Sequence, residues 1–304
     1  MSNRKSLISN EAAQMFGILQ SYRMDRVDYD HYDFKSATKA NTESINAISN
    51  LSDCDITWVD ADGVPAEKIL IPGADPNQYI YYIHGGGWTN GEPEWGHFCA
   101  VEIAKKSGRN LISVHYRYAP EYAYPTSHED CFTVYNWMLK QGIASENIVF
   151  LGESTGGNLV FSTAVIAKRE HAPLPAAICS ISPVMDLSFS FPSYTERMDR
   201  EVILPRNQKE IVQALYVKGA DTKDPVMSPY YADFTGFPPV YLEVSTEEML
   251  FDDSIRTHEK LLRQGVDSRL KVWEGMWHTF YQIDLPESRQ AFKNIASFFR
   301  ETAK

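Results

Sequence analysis

Residues 147–169 constrain the fold more than any other part of this sequence. An uninterrupted apolar run, residues 148–151, leads into the motif GESTGG at residues 152–157, and an amphipathic stretch follows at once. This order predicts a strand, a sharp turn and a helix, because glycine lets the strand and helix backbones approach closely. Such a turn can expose a serine hydroxyl above a sheet, which makes Ser154 a candidate nucleophile. The alternative is a glycine-rich turn with an idle serine, but the flanking strand and helix favour the nucleophile.

The charge balance argues against two classes of partner. The 304 residues carry 29 Lys and Arg against 40 Asp and Glu, a formal net charge of −11. A nucleic-acid backbone or an anionic membrane surface would be repelled, so we expect neither as a partner. We see no signal peptide and no apolar run long enough to span a bilayer.

The cysteine pattern predicts the compartment and argues against a metal. Cys54, Cys99, Cys131 and Cys179 lie far apart, with no paired spacing for zinc or redox chemistry. We expect free, mostly buried thiols in a reducing cytoplasm, and no metal or other cofactor.

Strand and helix signals alternate along most of the chain. A pattern of period two that turns at Asp62-Gly63 predicts a hairpin over residues 55–72. Further strands are predicted at residues 78–84, 110–116, 148–151, 176–182, 238–244 and 268–274. Helices are predicted at residues 9–22, 36–49, 98–105, 131–139, 252–264 and 286–300, besides the one after Ser154. This alternation predicts a mostly parallel sheet with ligands at the carboxyl ends of its strands.

Two segments lie outside this alternation. The first fifty residues precede any strand signal, and their first helix is predicted to be capped by Asn10. Residues 188–236 interrupt the pattern and include a helix whose start, Asn207 with Glu210, is typical of a capping box. We expect this insertion to pack with the N-terminal helices over the active end of the sheet.

Three consecutive glycines, residues 85–87, follow the strand at residues 78–84 directly. Because glycine is costly in conformational entropy, a run of three indicates a role for the backbone itself. Their N–H groups can face a small anionic oxygen with no side chain in the way. The alternative is a flexible loop without a role.

The serine needs a base, and position selects it. In α/β hydrolases the chain order is nucleophile, acid, histidine, each on a loop after a core strand. Of the three histidines after Ser154, His171 ends the nucleophile's own helix and His258 lies within a helix. His278 follows the last strand and is therefore the predicted base.

The acid is expected on the loop after the preceding strand. Asp252 and Asp253 open the next helix, where the helix dipole alone explains them. Glu248 stands on the loop beside an apolar pair that should turn inward, so we favour it over Glu247. Asp186 follows the wrong strand and is expected to hold the start of the insertion.

These residues predict acyl transfer. His278 would deprotonate Ser154 as it attacks an ester carbonyl, and the N–H groups of Gly85, Gly86 and Thr155 would stabilise the oxyanion. The alcohol would leave with a proton from His278, and water would then hydrolyse the acyl-enzyme.

The motifs together resemble the hormone-sensitive-lipase-like family of α/β hydrolases, which are mostly microbial carboxylesterases with a helical cap. The resemblance implies a mostly parallel sheet of eight strands flanked by helices, and it matches Ser154, Glu248 and His278 to the catalytic positions. It also matches the glycines of residues 85–87 to the oxyanion hole. It extends over residues 81–280 through HGGGW (84–88), YRYAPEYAYP (116–125), HEDC (128–131), GESTGGN (152–158), SPVMDLS (182–188), SPYYADFTGFPPV (228–240), EEMLFDDS (247–254) and MWHTF (276–280).

The resemblance also implies a division of the chain. Residues 1–50 and 188–236 resemble the cap, and residues 51–187 and 237–304 resemble the catalytic core. A cap implies a closed pocket for small or medium acyl esters, with acetate or butyrate esters hydrolysed faster than palmitate. Candidate pocket residues are Trp88, Phe251 and Trp277, each of which could equally belong to the core.

Several positions depart from the family pattern. Glu153 and Thr155 stand where aspartate and alanine are more usual, and Glu248-Met249 replaces aspartate-proline. A glutamate is chemically adequate as the acid, because its role is to orient the histidine and stabilise its charge. Thr279 replaces a glycine and bears on the substrate space near the histidine.

Two rival functions remain open at this point. An amidase such as an arylformamidase shares the glycine loop and the triad, and activity on N-formylkynurenine would distinguish it. A non-catalytic ligand receptor on the same fold would be expected to lack a triad member, and labelling by a fluorophosphonate would distinguish that. We expect a small-molecule ester as the ligand and a homodimer as the candidate assembly.

Overall fold

An eight-stranded sheet forms the centre of the computed structural model, which describes residues 7–302. The strands are β1 (Asp55–Ala61), β2 (Val64–Leu70), β3 (Tyr79–Ile83), β4 (Asn110–Val114), β5 (Ile148–Glu153), β6 (Ala177–Ile181), β7 (Val240–Ser245) and β8 (Ser268–Trp273). They lie in the order β1-β2-β4-β3-β5-β6-β7-β8. Strand β2 is antiparallel to both neighbours, and the other neighbouring pairs are parallel. The predicted hairpin and the predicted mostly parallel sheet are therefore confirmed.

Helices flank the sheet on both faces, and most of their ends shift only slightly from the predicted ones, but the helix predicted at residues 131–139 begins five residues earlier, at Thr126. They are α1 (Asn10–Tyr22), α2 (Phe34–Ile48), α3 (Gly96–Ser107), α4 (Thr126–Lys140), α5 (Thr155–Arg169), α6 (Ser193–Glu196), α7 (Gln208–Val212), α8 (Phe251–Arg263) and α9 (Pro286–Thr302).

The period of two along β5 divides the core between the two faces of the sheet. Val149 and Leu151 pack on the side of α3 and α9, whereas Ile148 and Phe150 pack on the side of α4 and α5. All residues of β5 are buried, as a central parallel strand with helices on both faces requires. The nucleophile turn at its end is thus supported by apolar packing on both sides.

The N-terminal helices dock on the core, with one local correction. The N-cap of α1 is Ser9 and not the predicted Asn10, because the Ser9 side chain accepts the Ala12 N–H and also bonds to Glu287. Helix α2 is held by the Trp95 indole N–H, which donates to Thr42 at 2.9 Å. These contacts tie the first segment of the chain to α9 and to the region before α3.

The insertion lies above the carboxyl ends of the strands, and its predicted capping box is wrong. Asn207 makes no side-chain capping bond to α7, since its side chain pairs with the backbone of Val27 instead. Glu210 pairs with Arg26. After α7 the chain continues as a π-helical turn over Gln213–Val217. Both members of the supposed box therefore join the insertion to the N-terminal segment.

Candidate active site

The turn between β5 and α5 places Ser154 in a strained backbone conformation. Ser154 has φ 54° and ψ −117°, a region that L-residues rarely adopt. The turn is also too tight for side chains at its glycines: a Cβ on Gly156 would lie 1.9 Å from the Ile83 carbonyl oxygen. A Cβ on Gly152 would lie 2.3 Å from the Gly156 carbonyl oxygen. Such a turn is typical of a serine held ready above a sheet.

Three side chains from distant parts of the chain meet at this turn. The Nε2 atom of His278 lies 3.0 Å from Ser154 Oγ, and its Nδ1 atom lies 2.8 Å from Glu248 Oε2. All three residues are buried. Each comes from a loop after a strand, β5, β7 or β8, so the parallel sheet brings them to one edge.

Further hydrogen bonds orient the Glu248 carboxylate. Its Oε1 atom accepts the Ser245 N–H at 2.6 Å and the Ser182 hydroxyl at 2.7 Å, which leaves Oε2 for the histidine. Burial lowers the pKa of His278, but the hydrogen bond and the charge of Glu248 raise it, and the net pKa lies above the ordinary 6.5. The arrangement therefore favours a histidine that can take up a proton.

The other carboxylates considered for this role have different partners. Both ring nitrogens of His278 are used by Ser154 and Glu248, while Glu247 bonds to the Thr246 hydroxyl. Asp253 accepts the Met185 and Asp186 N–H groups. Asp186 itself accepts the hydroxyls of Ser188 and Ser190 and so holds the start of the insertion, as its position predicts.

The glycine loop after β3 lies beside Ser154, but one of its predicted donors is engaged elsewhere. The Gly85 N–H donates to Glu153 Oε1 at 2.9 Å, so the prediction that it faces an oxyanion is wrong. Gly86 and Gly87 have φ of 118° and 64° and line the cavity above Ser154. Within residues 7–302 neither of their N–H groups has a hydrogen-bond partner. Thr155 begins α5, where the first N–H has no partner within the helix.

A cavity of about 220 Å³ opens above the serine. Its walls include the glycine loop, the histidine and side chains from both segments outside the alternating pattern. The apolar and aromatic lining residues are Met24, Val27, Tyr32, Phe34, Trp95, Ile203, Leu204, Pro205 and Ile211. The polar ones include Asn41, Thr89, Asn90, Glu153, Gln208, Thr279 and Gln282.

The three aromatic residues predicted for this pocket do not line it. Trp88 is fully buried and stacks on Tyr216 at 4.9 Å. Trp277 is 1% exposed and packs near Phe16 of α1. The ring of Phe251 lies under the Arg197 guanidinium at 3.8 Å. All three therefore stabilise the packing around the site rather than the cavity wall.

Sequence reasoning missed a buried carboxylate that joins the insertion to the acid loop. Glu201 accepts the N–H groups of Ile203 and Leu204 through Oε1 and the Met249 N–H through Oε2. Burial raises its pKa above the ordinary value. Its only signal in the sequence is an acidic residue before three apolar residues, a pattern too common to indicate a role.

Comparison with known proteins identifies the family of this chain. Residues 80–282 match the family model described as alpha/beta hydrolase fold. The chain is 30% identical to an acetyl-hydrolase of Streptomyces hygroscopicus, with 75% of this chain and 77% of the relative covered. It is 31% identical to an esterase of Acinetobacter venetianus, with 78% of each covered.

Solved esterase structures superimpose on nearly the whole of this chain. The crystal structure of EstE5 superimposes with a TM-score of 0.91 at 30% identity, covering 97% of this chain and 99% of that one. An esterase from the bacterial hormone-sensitive lipase family gives 0.90 at 30% identity, with 97% and 99% covered.

The chain belongs to the α/β-hydrolase family. Within that family it is a member of the hormone-sensitive-lipase-like group and a carboxylic ester hydrolase, so the predicted family and enzyme class are confirmed. No helix within residues 7–302 combines the length and apolarity that crossing a membrane requires.

Proposed function

We propose that this chain is a serine carboxylesterase in which Ser154 is the nucleophile, His278 the general base and Glu248 the acid that orients it. The carrying observation is the pair of hydrogen bonds, 3.0 Å and 2.8 Å, that connects Ser154 through His278 to Glu248. A serine hydroxyl is a poor nucleophile until a base removes its proton, and this imidazole lies within reach of it.

In the proposed mechanism, Oγ of Ser154 attacks the ester carbonyl carbon while its proton passes to Nε2 of His278. The negative charge of Glu248 stabilises the imidazolium that forms. His278 then gives the proton to the departing alcohol, which leaves an acyl-enzyme on Ser154. A water molecule, deprotonated by His278, attacks the acyl-enzyme, releases the carboxylic acid and restores the hydroxyl.

The tetrahedral oxyanion would be stabilised by the N–H groups of Gly86, Gly87 and Thr155. This set replaces the predicted one, because the Gly85 N–H is already used by Glu153. Loss of one such donor typically costs about 10²- to 10³-fold in kcat. Gly86 and Gly87 lie at the cavity wall, and their N–H groups have no hydrogen-bond partner in the described part of the chain, which supports this assignment.

We further propose that residues 1–50 and 188–236 act as the cap of this enzyme. Both segments contribute side chains to the cavity, and the paired bonds between Asn207 and Val27 join them directly. Residues 1–6 of this division lie outside the described part of the chain.

The proposed substrates are esters of short to medium acyl chains. The cavity of about 220 Å³ lies below the range of about 300–1,000 Å³ that is typical of pockets for drug-sized ligands. A series of p-nitrophenyl esters from acetate to palmitate should give the highest kcat/KM at acetate or butyrate. A maximum at the sixteen-carbon chain would contradict the proposal.

The direct test of the nucleophile is Ser154→Ala, assayed with p-nitrophenyl acetate. We expect hydrolysis to fall by about 10⁴-fold or more, because the acyl-enzyme can no longer form. Ser44→Ala, on the exposed side of α2, is the matched control and should keep full activity. A Ser154→Ala protein with the unchanged circular dichroism spectrum and full activity would overturn the mechanism. The cytoplasmic location and the homodimer stay predictions, and light scattering would test the second.

A further inference from the structure

The residue directly before the nucleophile holds the glycine loop in place. Glu153 ends β5, is 1% exposed, and directs Oε1 toward three donors. Oε1 accepts the Tyr82 hydroxyl at 2.7 Å, the Gly85 N–H at 2.9 Å and the Gln282 side-chain amide at 3.5 Å. These donors belong to β3, to the glycine loop and to the segment after His278. One carboxyl group therefore connects three segments that surround the nucleophile.

The glycine loop lies directly against the nucleophile turn. A Cβ on Gly85 would be 3.0 Å from the Glu153 carbonyl oxygen and 3.2 Å from Ser154 Cβ. The next two residues of the loop, Gly86 and Gly87, carry the proposed oxyanion donors. The hydrogen bond from Gly85 to Glu153 therefore sets the distance between those donors and Ser154 Oγ.

The surroundings of Glu153 disfavour a negative charge. Within residues 7–302 it forms no ion pair with a lysine or arginine. Burial raises its pKa to about 8, although the bonds from Gly85 and Tyr82 and the nearby His278 lower it. The titratable groups that face it are Tyr82, Cys99, Tyr116, Tyr281 and His278.

We propose that Glu153 is a positioning residue that clamps the glycine loop to the nucleophile turn and that it acts as a neutral carboxylic acid. The proposal rests on the proposed esterase mechanism. A neutral group leaves the oxyanion as the only negative charge that forms beside Gly86 and Gly87. Ionisation of Glu153 would add a second negative charge one residue from Ser154, which opposes the oxyanion. Activity should therefore fall as the pH rises through about 8.

The test compares the wild type, Glu153→Gln and Tyr82→Phe, each with kcat and KM from pH 6 to 10 at the isosbestic wavelength of p-nitrophenol. Glutamine keeps an oxygen acceptor for the Gly85 N–H and cannot ionise. We expect kcat of Glu153→Gln to stay within a few-fold of the wild-type value at pH 7. The decrease in kcat that the wild type shows near pH 8 should be absent from this variant. Tyr82→Phe removes a hydrogen bond that lowers the pKa of Glu153, so the decrease in kcat of this variant should occur at higher pH than in the wild type. The pKa values of Tyr82 and Cys99 are themselves raised by burial, which keeps both out of this range.

A third variant tests the clamp itself. Glu153→Ala should lower kcat by about 10- to 100-fold with KM changed little, because the donors are needed in the transition state more than in the ground state. Glu153→Gln controls for folding. The proposal is overturned if Glu153→Gln retains the wild-type alkaline limb, or if a folded Glu153→Ala keeps wild-type kcat. Either result leaves the Ser154 mechanism standing, since fluorophosphonate labelling of these variants reports on the nucleophile separately.

Discussion

Asn207 and Val27 exchange two hydrogen bonds across 180 residues of sequence. The Val27 N–H donates to Asn207 Oδ1 at 3.0 Å, and Asn207 Nδ2 donates to the Val27 carbonyl oxygen at 2.8 Å. Both residues are buried, and Val27 lines the cavity above Ser154. One side-chain amide thus satisfies a buried backbone unit and joins the two segments proposed as the cap.

Asn207→Ala should loosen this junction. It leaves two buried backbone groups unpaired, each at a cost of about 1–3 kcal/mol, so the free energy of unfolding should fall measurably in urea. We expect KM to rise more than kcat falls, because the cavity wall is disturbed while the triad is not. Glu210→Gln, at the exposed pair with Arg26, is the control and should stay within about 0.5 kcal/mol of the wild type. Equal losses of unfolding free energy in the two variants would contradict the claim that Asn207 holds the two segments together.

Glu248→Gln should change both the rate and its pH dependence. His278 must be neutral to accept a proton, so kcat/KM falls as the pH drops through its pKa, which lies above 6.5. Removing the charge of Glu248 removes the main cause that raises this pKa, so the acid limb should move to lower pH. In serine proteases the corresponding loss of the acid costs about 10⁴-fold in kcat, and a large fall is expected here. Glu247→Gln is the control. An equal shift of the acid limb in that variant would argue that Glu248 is not the catalytic acid.

Thr279→Gly should stabilise the protein. Thr279 has φ 55°, and a β-branched residue in this conformation carries a strain of about 1–3 kcal/mol. Glycine removes the strain but costs about 0.5–1 kcal/mol in backbone entropy, so we expect a net gain of about 1 kcal/mol in urea denaturation. Thr279→Ala keeps a Cβ and should gain much less. Because Thr279 lines the cavity, both variants should accept bulkier esters better.

Gly156→Ala should prevent correct folding, since a Cβ there would lie 1.9 Å from the Ile83 carbonyl oxygen. Backbone atoms of two packed elements cannot move apart easily, and we expect a loss of about 3 kcal/mol or more, or insoluble protein. Gly17→Ala is the matched control, because Gly17 is exposed on α1 and an added Cβ would meet no atom outside its own stretch of helix within 4 Å. It should raise stability by about 0.5–1 kcal/mol. Equal stability of the two variants would contradict the tight turn.

The sequence predicted well the features that neighbouring residues encode. The apolar run 148–151 and the glycines of residues 152–157 are adjacent in the chain, so strand, turn and helix could be read together. The positions of His278 and Glu248 could be predicted because the loops that follow parallel strands all lie at the same edge of the sheet. Predicting that these distant residues lie close together required only the position of each strand along the chain, and not the direction of each side chain.

Side-chain direction and competition between donors were the features that sequence could not predict. Trp88 follows the glycine loop, but its φ of 60° turns the ring onto Tyr216 and away from the cavity. The Gly85 N–H is taken by Glu153, a choice that depends on a distance of 2.9 Å between residues far apart in sequence. Asn207 satisfies Val27 rather than its own helix for the same reason.

The most direct test of the account is to label the wild-type protein with a fluorophosphonate and map the modified peptide by mass spectrometry. A fluorophosphonate reacts much faster with a serine that an adjacent base activates than with an ordinary surface serine. We expect one adduct per chain, on Ser154, and its loss in His278→Ala. Hydrolysis of p-nitrophenyl acetate by a protein that takes up no label, or that carries the label on another residue, would contradict the account.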